Sequence, residues 1–245
     1  MTIFEINLFG LHIAPTYYGL MYGISFIILY YGLKYRKFLD GQKLDDFIFY
    51  IFLGIILGGR LGYVVFYNLE YFLNNPLKIP AVWEGGMSFH GGVLGVIVAL
   101  ILFTKKYKLN LLETSDALLK LVPIGLFLGR IGNYINNELY GKEYSGPLAM
   151  IINGKTYFPS PLLEAFLEGI ILFILLNFFW QSKKPGFISG AFLFFYGIFR
   201  FFIEFIRLPD SQIGYIGGII TMGQILSIPL IIGGIYLLIR TYDKK

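Results

Sequence analysis

The sequence has no cysteine and only two histidines, His12 and His90. Without cysteine there are no disulfides, no thiolate metal sites and no cysteine nucleophile, so any thiol in the chemistry has to come from a substrate. Two histidines argue against a histidine-rich metal centre, and the sequence offers no ligand set for a metal or other cofactor; none is expected. Charge is scarce as well: 14% of the residues are charged against 56% hydrophobic. The N-terminal stretch MTIFEINLFGLHIAP lacks a basic leader and a small-residue cleavage site, so the first helix is expected to stay in the mature protein. The net charge of +5 would suit a polyanion in a soluble protein. Here the basic residues stand in short loops between apolar runs, which membrane topology explains, and no nucleic-acid partner is expected.

What the chain does have is apolar runs of membrane-spanning length. Seven spans are predicted, at about 16–34, 46–66, 86–104, 113–134, 160–180, 187–206 and 219–240. The expected fold is therefore an all-α polytopic membrane protein, one transmembrane helical domain over 1–245. Residues 135–159, mixed polar and apolar with turn residues, form a small extracytoplasmic head segment. Glycine within the spans suits close helix packing in lipid. Lys34, Arg36, Lys37, Lys43, Lys105, Lys106, Lys108, Lys183, Lys184, Arg240, Lys244 and Lys245 share one set of loops, against Lys78, Lys142, Lys155 and Arg207 in the other. The richer set is cytoplasmic by the positive-inside rule, which places the N-terminus outside and the C-terminus in the cytoplasm.

Three arginines, Arg60, Arg130 and Arg200, stand inside these apolar runs. Each costs about 2.5–3.5 kcal/mol at the centre of a lipid-facing helix. All three then need buried partners or an anionic ligand. Rise per residue places them in the outer half of the bilayer. Tyr17, Tyr18, Ser88, His90, Glu164, Glu168, Thr221 and Gln224, near the outer ends of the other spans, share that depth. One polar cavity open to the outer leaflet accounts for the coincidence.

Tyr196, Arg200 and Glu204 follow one helical face at four-residue spacing. They read either as an internal ion pair or as Glu204 orienting an Arg200 that keeps donors for a phosphate. Arg130, Asn133, Asn136, Asn137 and Glu138 make a polar run at the outer end of the fourth span; it reads as a ligand face or as a hydrogen-bonded helix end. Glycines flank His90 and allow a substrate or another backbone to come close; His12 reads as structural. Glu164 and Glu168 are available to Arg60 or to Arg130. Arg60 itself reads as a substrate contact or a structural cation.

The motifs GGMSFHGGVLGV, GRIGNYINNELYG and YGIFRFFIEFIRLPD, with YYGLMYG and GGRLGYVVFY before them, resemble those of the prolipoprotein diacylglyceryl transferase family along essentially the whole chain. That resemblance implies a bacterial plasma-membrane enzyme with its active site facing the outer leaflet. It would move the diacylglyceryl group of phosphatidylglycerol, a membrane lipid, to the lipobox cysteine thiol in a prolipoprotein signal peptide, releasing glycerol phosphate. The positions matching the family's functional residues are Tyr18, His90, Arg130, Asn133, Glu138, Gly141, Tyr196, Arg200 and Glu204. In that reading Arg130 and Arg200 clamp the phosphate, His90 is the general base, and Asn133, Glu138 and Tyr196 orient headgroup or arginines. The fifth span departs from the family's HPTQLYE pattern. Phe158 stands where the histidine would be, Pro161 for the glutamine and Leu163 for the tyrosine, which leaves His90 as the histidine placed for chemistry. The rival from another class is a transporter or flippase for an anionic solute or lipid. It should also line its inner half with polar groups, and the inner halves of spans one, three and five are nearly all apolar.

Overall fold

The computed structural model describes residues 2–3, 5–8, 11–13, 16–179, 184–209 and 214–242. Trp180 at the end of the fifth expected span, Asp210 at the end of the motif YGIFRFFIEFIRLPD, and Lys183, Lys244 and Lys245 of the basic loops lie outside them. The chain is mostly helical. The helices are α1 (Tyr17–Tyr35), α2 (Gly41–Tyr67), α3 (Leu69–Asn74), α4 (Phe89–Tyr107), α5 (Leu111–Leu119) and α6 (Val122–Ile135). Then α7 (Ser160–Glu164) runs on through a π-helical stretch, Ala165–Ile171, one α turn, α8 (Leu172–Ile174), and a second π-helical stretch, Leu175–Phe179. The last two are α9 (Phe187–Ile203) and α10 (Met222–Tyr242).

Among the described residues 4 helices are long and apolar enough to cross a membrane: Gly41–Tyr67, Phe89–Tyr107, Ser160–Phe178 and Met222–Thr241. Their outward faces expose large apolar side chains such as Leu57, Leu61, Val98, Ile232 and Ile239. A surface of that kind is stable against lipid tails and not against water. The chain is a polytopic, mostly helical membrane protein.

The mostly helical architecture agrees with the all-α expectation, and small β elements stand between the helices among the described residues. Three short antiparallel hairpins interrupt the helices, pairing β1 (Ile6–Leu8) with β2 (Leu11–Ile13), β3 (Met150–Ile152) with β4 (Lys155–Tyr157), and β5 (Tyr215–Ile216) with β6 (Ile220–Thr221). The second lies in the segment expected as a head. Its backbone turns on Asn153 and Gly154, both with positive φ, and such turns close a hairpin at little steric cost when glycine or asparagine occupies them.

The chain divides into two compact units. In the unit Tyr30–Ser115, α2 packs on α4 through glycines. Gly54, Gly58 and Gly62 recur every fourth residue and so lie on one face of α2, and Gly91 and Gly95 do the same on α4. A Cβ on Gly54 would stand 2.7 Å from the Gly95 carbonyl oxygen, and one on Gly62 2.7 Å from Gly91 Cα. Backbone meets backbone here, which is how helices gain packing energy in lipid. Toward the other end the rings of Phe47 and Phe103 meet edge-on at 5.0 Å, and Lys106 Nζ pairs with Asp46 at 2.6 Å.

The other unit comprises residues up to Leu29 and those from Asp116 onward. Its core is Leu172, Leu176, Ile188, Ala191 and Phe192. The fourth expected span, 113–134, is not one helix. It breaks between α5 and α6 because Pro123, in the first turn of α6, has no N–H to continue the ladder. At the break the Lys120 carbonyl accepts from Asn177 Nδ2 at 2.9 Å. A broken helix in apolar surroundings needs such a repair from a neighbour. Asp116, anomalous in an apolar run, has a similar explanation. Its carboxylate accepts from the N–H groups of Gly186 and Ser189, each at 2.7 Å, and from Ser189 Oγ at 2.6 Å. It therefore caps the N-terminus of α9 from another helix.

Candidate active site

Helices α6, α7 and α9, all in the second unit, bring four of the buried ionic side chains together. Gly169 permits the approach of the first two: a Cβ there would lie 2.6 Å from Phe127 Cβ. Glu164 and Glu168, one turn apart on the rod that starts at α7, then meet Arg130 of α6. Arg130 Nε stands 2.8 Å from Glu164 and its Nη2 3.2 Å from Glu168. Arg200 of α9 approaches the same two carboxylates, at 3.3 and 3.8 Å. Both glutamates are fully buried. The two-way reading of Glu164 and Glu168 thus resolves in favour of Arg130, with Arg200 as a second partner.

Glu204 closes the cluster from the end of α9. Its Oε1 accepts from Arg200 Nη2 at 2.5 Å, and its Oε2 from the Thr221 hydroxyl at 2.5 Å. Arg207 is the member that sequence reasoning missed, because it was counted among loop cations. It is buried, and its Nη1 lies 3.9 Å from Glu164. A signal was present: Arg200, Glu204 and Arg207 fall at i, i+4 and i+7, one helical face. Three guanidinium groups therefore face three carboxylates. Both Glu164 oxygens, Glu168 Oε1 and Arg200 Nη1 are buried, and ion pairs rather than hydrogen bonds hold them. Tyr196, one turn before Arg200, stacks flat on Phe192 with centroids 5.6 Å apart, and its phenol lies in the fields of Glu168, Arg200 and Arg130.

The C-terminal end of α6 builds a second polar group beside this one. The N–H of Glu138 donates to the Asn133 carbonyl at 2.9 Å, and that of Asn137 to Tyr134 at 3.2 Å. Asn137 has φ 56°. This is a Schellman stop with asparagine in the left-handed position, which accounts for Asn137. It turns Glu138 back onto α1, where the Tyr18 hydroxyl donates to Glu138 Oε2 at 2.8 Å. Asn133 Nδ2 donates to the Tyr18 oxygen and, at 3.4 Å, to Glu138. Tyr18, Asn133 and Glu138 thus form one hydrogen-bonded triad. Arg130 and Asn133, three residues apart on α6, join it to the ion cluster.

Gly141 lies next in the chain. It bridges Arg207 in antiparallel fashion, and its N–H donates to the Phe158 carbonyl at 2.8 Å. A Cβ there would stand 2.9 Å from the Ile206 carbonyl oxygen, so the glycine is what lets the strand-like segment after α9 dock. The Phe158 ring packs edge-on against Tyr144 at 5.1 Å.

Arg60 and His90 belong to the Tyr30–Ser115 unit. Arg60 is 4% exposed. Its guanidinium donates to backbone carbonyls of the loop between α3 and α4, and its donors face no carboxylate among the described residues. In the same loop Lys78 pairs with Glu84, and that hydrogen bond holds the Lys78 ammonium above its ordinary pKa. His90 is exposed in the first turn of α4, which Ser88 caps by accepting from the Gly91 N–H at 3.2 Å. The close approach allowed by the glycines around His90 is to a backbone: Gly91 lies against Gly58 and Gly62.

Residues 4–240 match the family model described as prolipoprotein diacylglyceryl transferase. Curated relatives carry the name phosphatidylglycerol–prolipoprotein diacylglyceryl transferase. One from Hydrogenovibrio crunogenus is 47% identical over 256 residues, covering 98% of this chain and 96% of its own. One from Buchnera aphidicola is 44% identical over 264 residues, covering 95% and 94%. One from Pseudoalteromonas translucida is 47% identical over 241 residues, covering 95% and 90%. The buried arginines, the glycine-rich helix contacts and these matches agree: the chain belongs to the prolipoprotein diacylglyceryl transferase family.

Proposed function

We propose that this chain transfers the diacylglyceryl group of phosphatidylglycerol to the cysteine thiol of a prolipoprotein lipobox. The observation that carries the reading is the arginine cluster: Arg130 and Arg200 share the buried carboxylates of Glu164 and Glu168, and Arg207 approaches Glu164. Guanidinium groups in a dry site suit a phosphodiester that leaves as a phosphate monoester.

In this mechanism the thiol first loses its proton to His90, and the thiolate attacks the glyceryl carbon bonded to the phosphate oxygen. A carbon–sulfur bond forms as the carbon–oxygen bond breaks. The electron pair goes to the phosphate oxygen, and glycerol phosphate departs with the added negative charge. Arg130 and Arg200 stabilise that charge as it grows, which favours the transition state over the bound lipid. Glu204 holds Arg200 in place. Tyr18, Asn133 and Glu138 orient the headgroup hydroxyls, Tyr196 lines the same face, and Gly141 sets the backbone beside Arg207. His90 carries its role from its motif. The proposal further reads the chain as a transmembrane helical protein of seven spans. Residues 135–159 are then its extracytoplasmic head, with the N-terminus outside and the C-terminus in the cytoplasm. The active site then faces the outer leaflet of the bacterial inner membrane.

The test uses purified protein, phosphatidylglycerol and a lipobox peptide, with the product read by mass. A diacylglyceryl addition that requires phosphatidylglycerol is the expected result. Near-normal turnover in Arg130→Ala would sink the phosphate clamp, and full activity in His90→Asn would remove the general base.

A further inference from the structure

We infer that Arg60 is a positioning residue that fixes the loop leading into His90, and is not a ligand of the phosphate. The inference rests on His90 acting as the base proposed above. Arg60 lies on a membrane-length helix, and its charge is absorbed entirely by backbone. Nε donates to the Ile79 carbonyl at 2.8 Å and Nη2 to that of Lys78 at 2.7 Å. Nη1 donates to Gly85 and, at 3.3 Å, to Gly86. The rings of Phe72 and Tyr63 stand 5.1 and 6.0 Å from Cζ. A guanidinium has five N–H donors; four of them make these contacts, with at least one on every nitrogen, which leaves a single N–H on Nη2. No bidentate edge is left for a phosphate.

The cage is directly continuous with His90. Gly85 and Gly86 have φ of +83° and +78°, a conformation that turns their carbonyls back toward Arg60 and that side chains resist. Two residues on, the Ser88 N–H donates at 2.8 Å to the carbonyl of Gly59, the neighbour of Arg60 on α2. Ser88 then caps α4, and Gly91 is seated on Gly58 and Gly62 of α2. His90 stands between these two anchors. Its ring touches Phe89 edge-on at 5.7 Å, so its position is set by the backbone that carries it. The fork of Arg60 is what joins four carbonyls of that loop to α2. A lysine ammonium is a point donor and cannot span them.

The experiment compares Arg60→Lys and Gly85→Ala, each alone and combined with His90→Asn, in mixed micelles of phosphatidylglycerol and a lipobox peptide. A Cβ on Gly85 meets nothing within 4 Å, so Gly85→Ala perturbs the loop backbone while every charged side chain stays in place. It carries the test where Arg60→Lys fails to assemble. A displaced base costs rate and leaves lipid binding intact, so kcat should fall by about tenfold or more in each variant with KM for phosphatidylglycerol within about twofold. In the His90→Asn background the same changes should cost less than about twofold further. A tenfold rise in KM with kcat retained would make Arg60 a lipid ligand and overturn the inference. So would an undiminished loss in the His90→Asn background. Wild-type kcat in His90→Asn alone removes the base assignment, and with it this inference. A slow His90→Asn with additive losses refutes only the role of Arg60.

Discussion

Glu164→Gln tests the cluster at its hub. Glu164 lies 2.8 Å from Arg130, 3.3 Å from Arg200 and 3.9 Å from Arg207, and it is fully buried. Glutamine keeps its volume and removes its charge. At an effective dielectric near 20, opposite charges 4 Å apart attract by about 4 kcal/mol. Removing one partner of a buried ion pair costs about 3–5 kcal/mol, since the charge left behind has no compensation. For a chain of this size each kcal/mol lowers the thermal midpoint by roughly 2–4 °C, so the expected loss is about 6–20 °C. The sign reverses when an anion arrives. Three guanidiniums then face two carboxylates, and a phosphodiester restores neutrality. Phosphatidylglycerol should therefore raise the midpoint of Glu164→Gln by more than it raises the wild type, while phosphatidylcholine, with no net charge, should not. The assay is thermal unfolding in micelles of each lipid. Equal stabilisation of both proteins by phosphatidylglycerol would refute the assignment of the cluster as the phosphate site. A variant midpoint within about 2 °C of wild type in neutral micelles would refute the electrostatic account itself.

Two further changes separate site from scaffold. Thr221→Val removes the hydroxyl that donates to Glu204 at 2.5 Å. Hydrogen bonds to charged groups contribute about 1.5–3 kcal/mol, so Glu204 should lose its hold on Arg200 and kcat/KM should fall about tenfold, with Thr221→Ser restoring it. Asp116→Ala removes the cap of α9 about 20 Å from Arg200 along the helix. It should lower stability by about 0.5–2 kcal/mol with kcat retained, measured by thermal midpoint and turnover together.

Much of the fold and part of the site were legible in sequence. The helical segments followed from the apolar runs, and the second starts at Gly41, ahead of the apolar stretch, because its first turns are polar. The Arg200–Glu204 pair was visible from spacing within one helix. The choice of partner for Arg130 was not, because Glu164 and Glu168 were equally available to Arg60. Arg207 and Asp116 looked like ordinary charges at a span's edge. Only the approach of α7 to α9 showed the first to be buried with Glu164, and only that of α5 to α9 showed the second to cap α9.

Hydropathy is a local and nearly additive property, so sequence by itself determined that the chain is a helical membrane protein and that its intramembrane arginines must be compensated. It determined the family through motifs whose order along the chain is one-dimensional. Compensation depends on distances between segments far apart in the chain. The tertiary structure therefore decided that Arg130 and Arg200 share two carboxylates, that Arg60 is caged by carbonyls, and that the fourth span breaks where Asn177 can repair it.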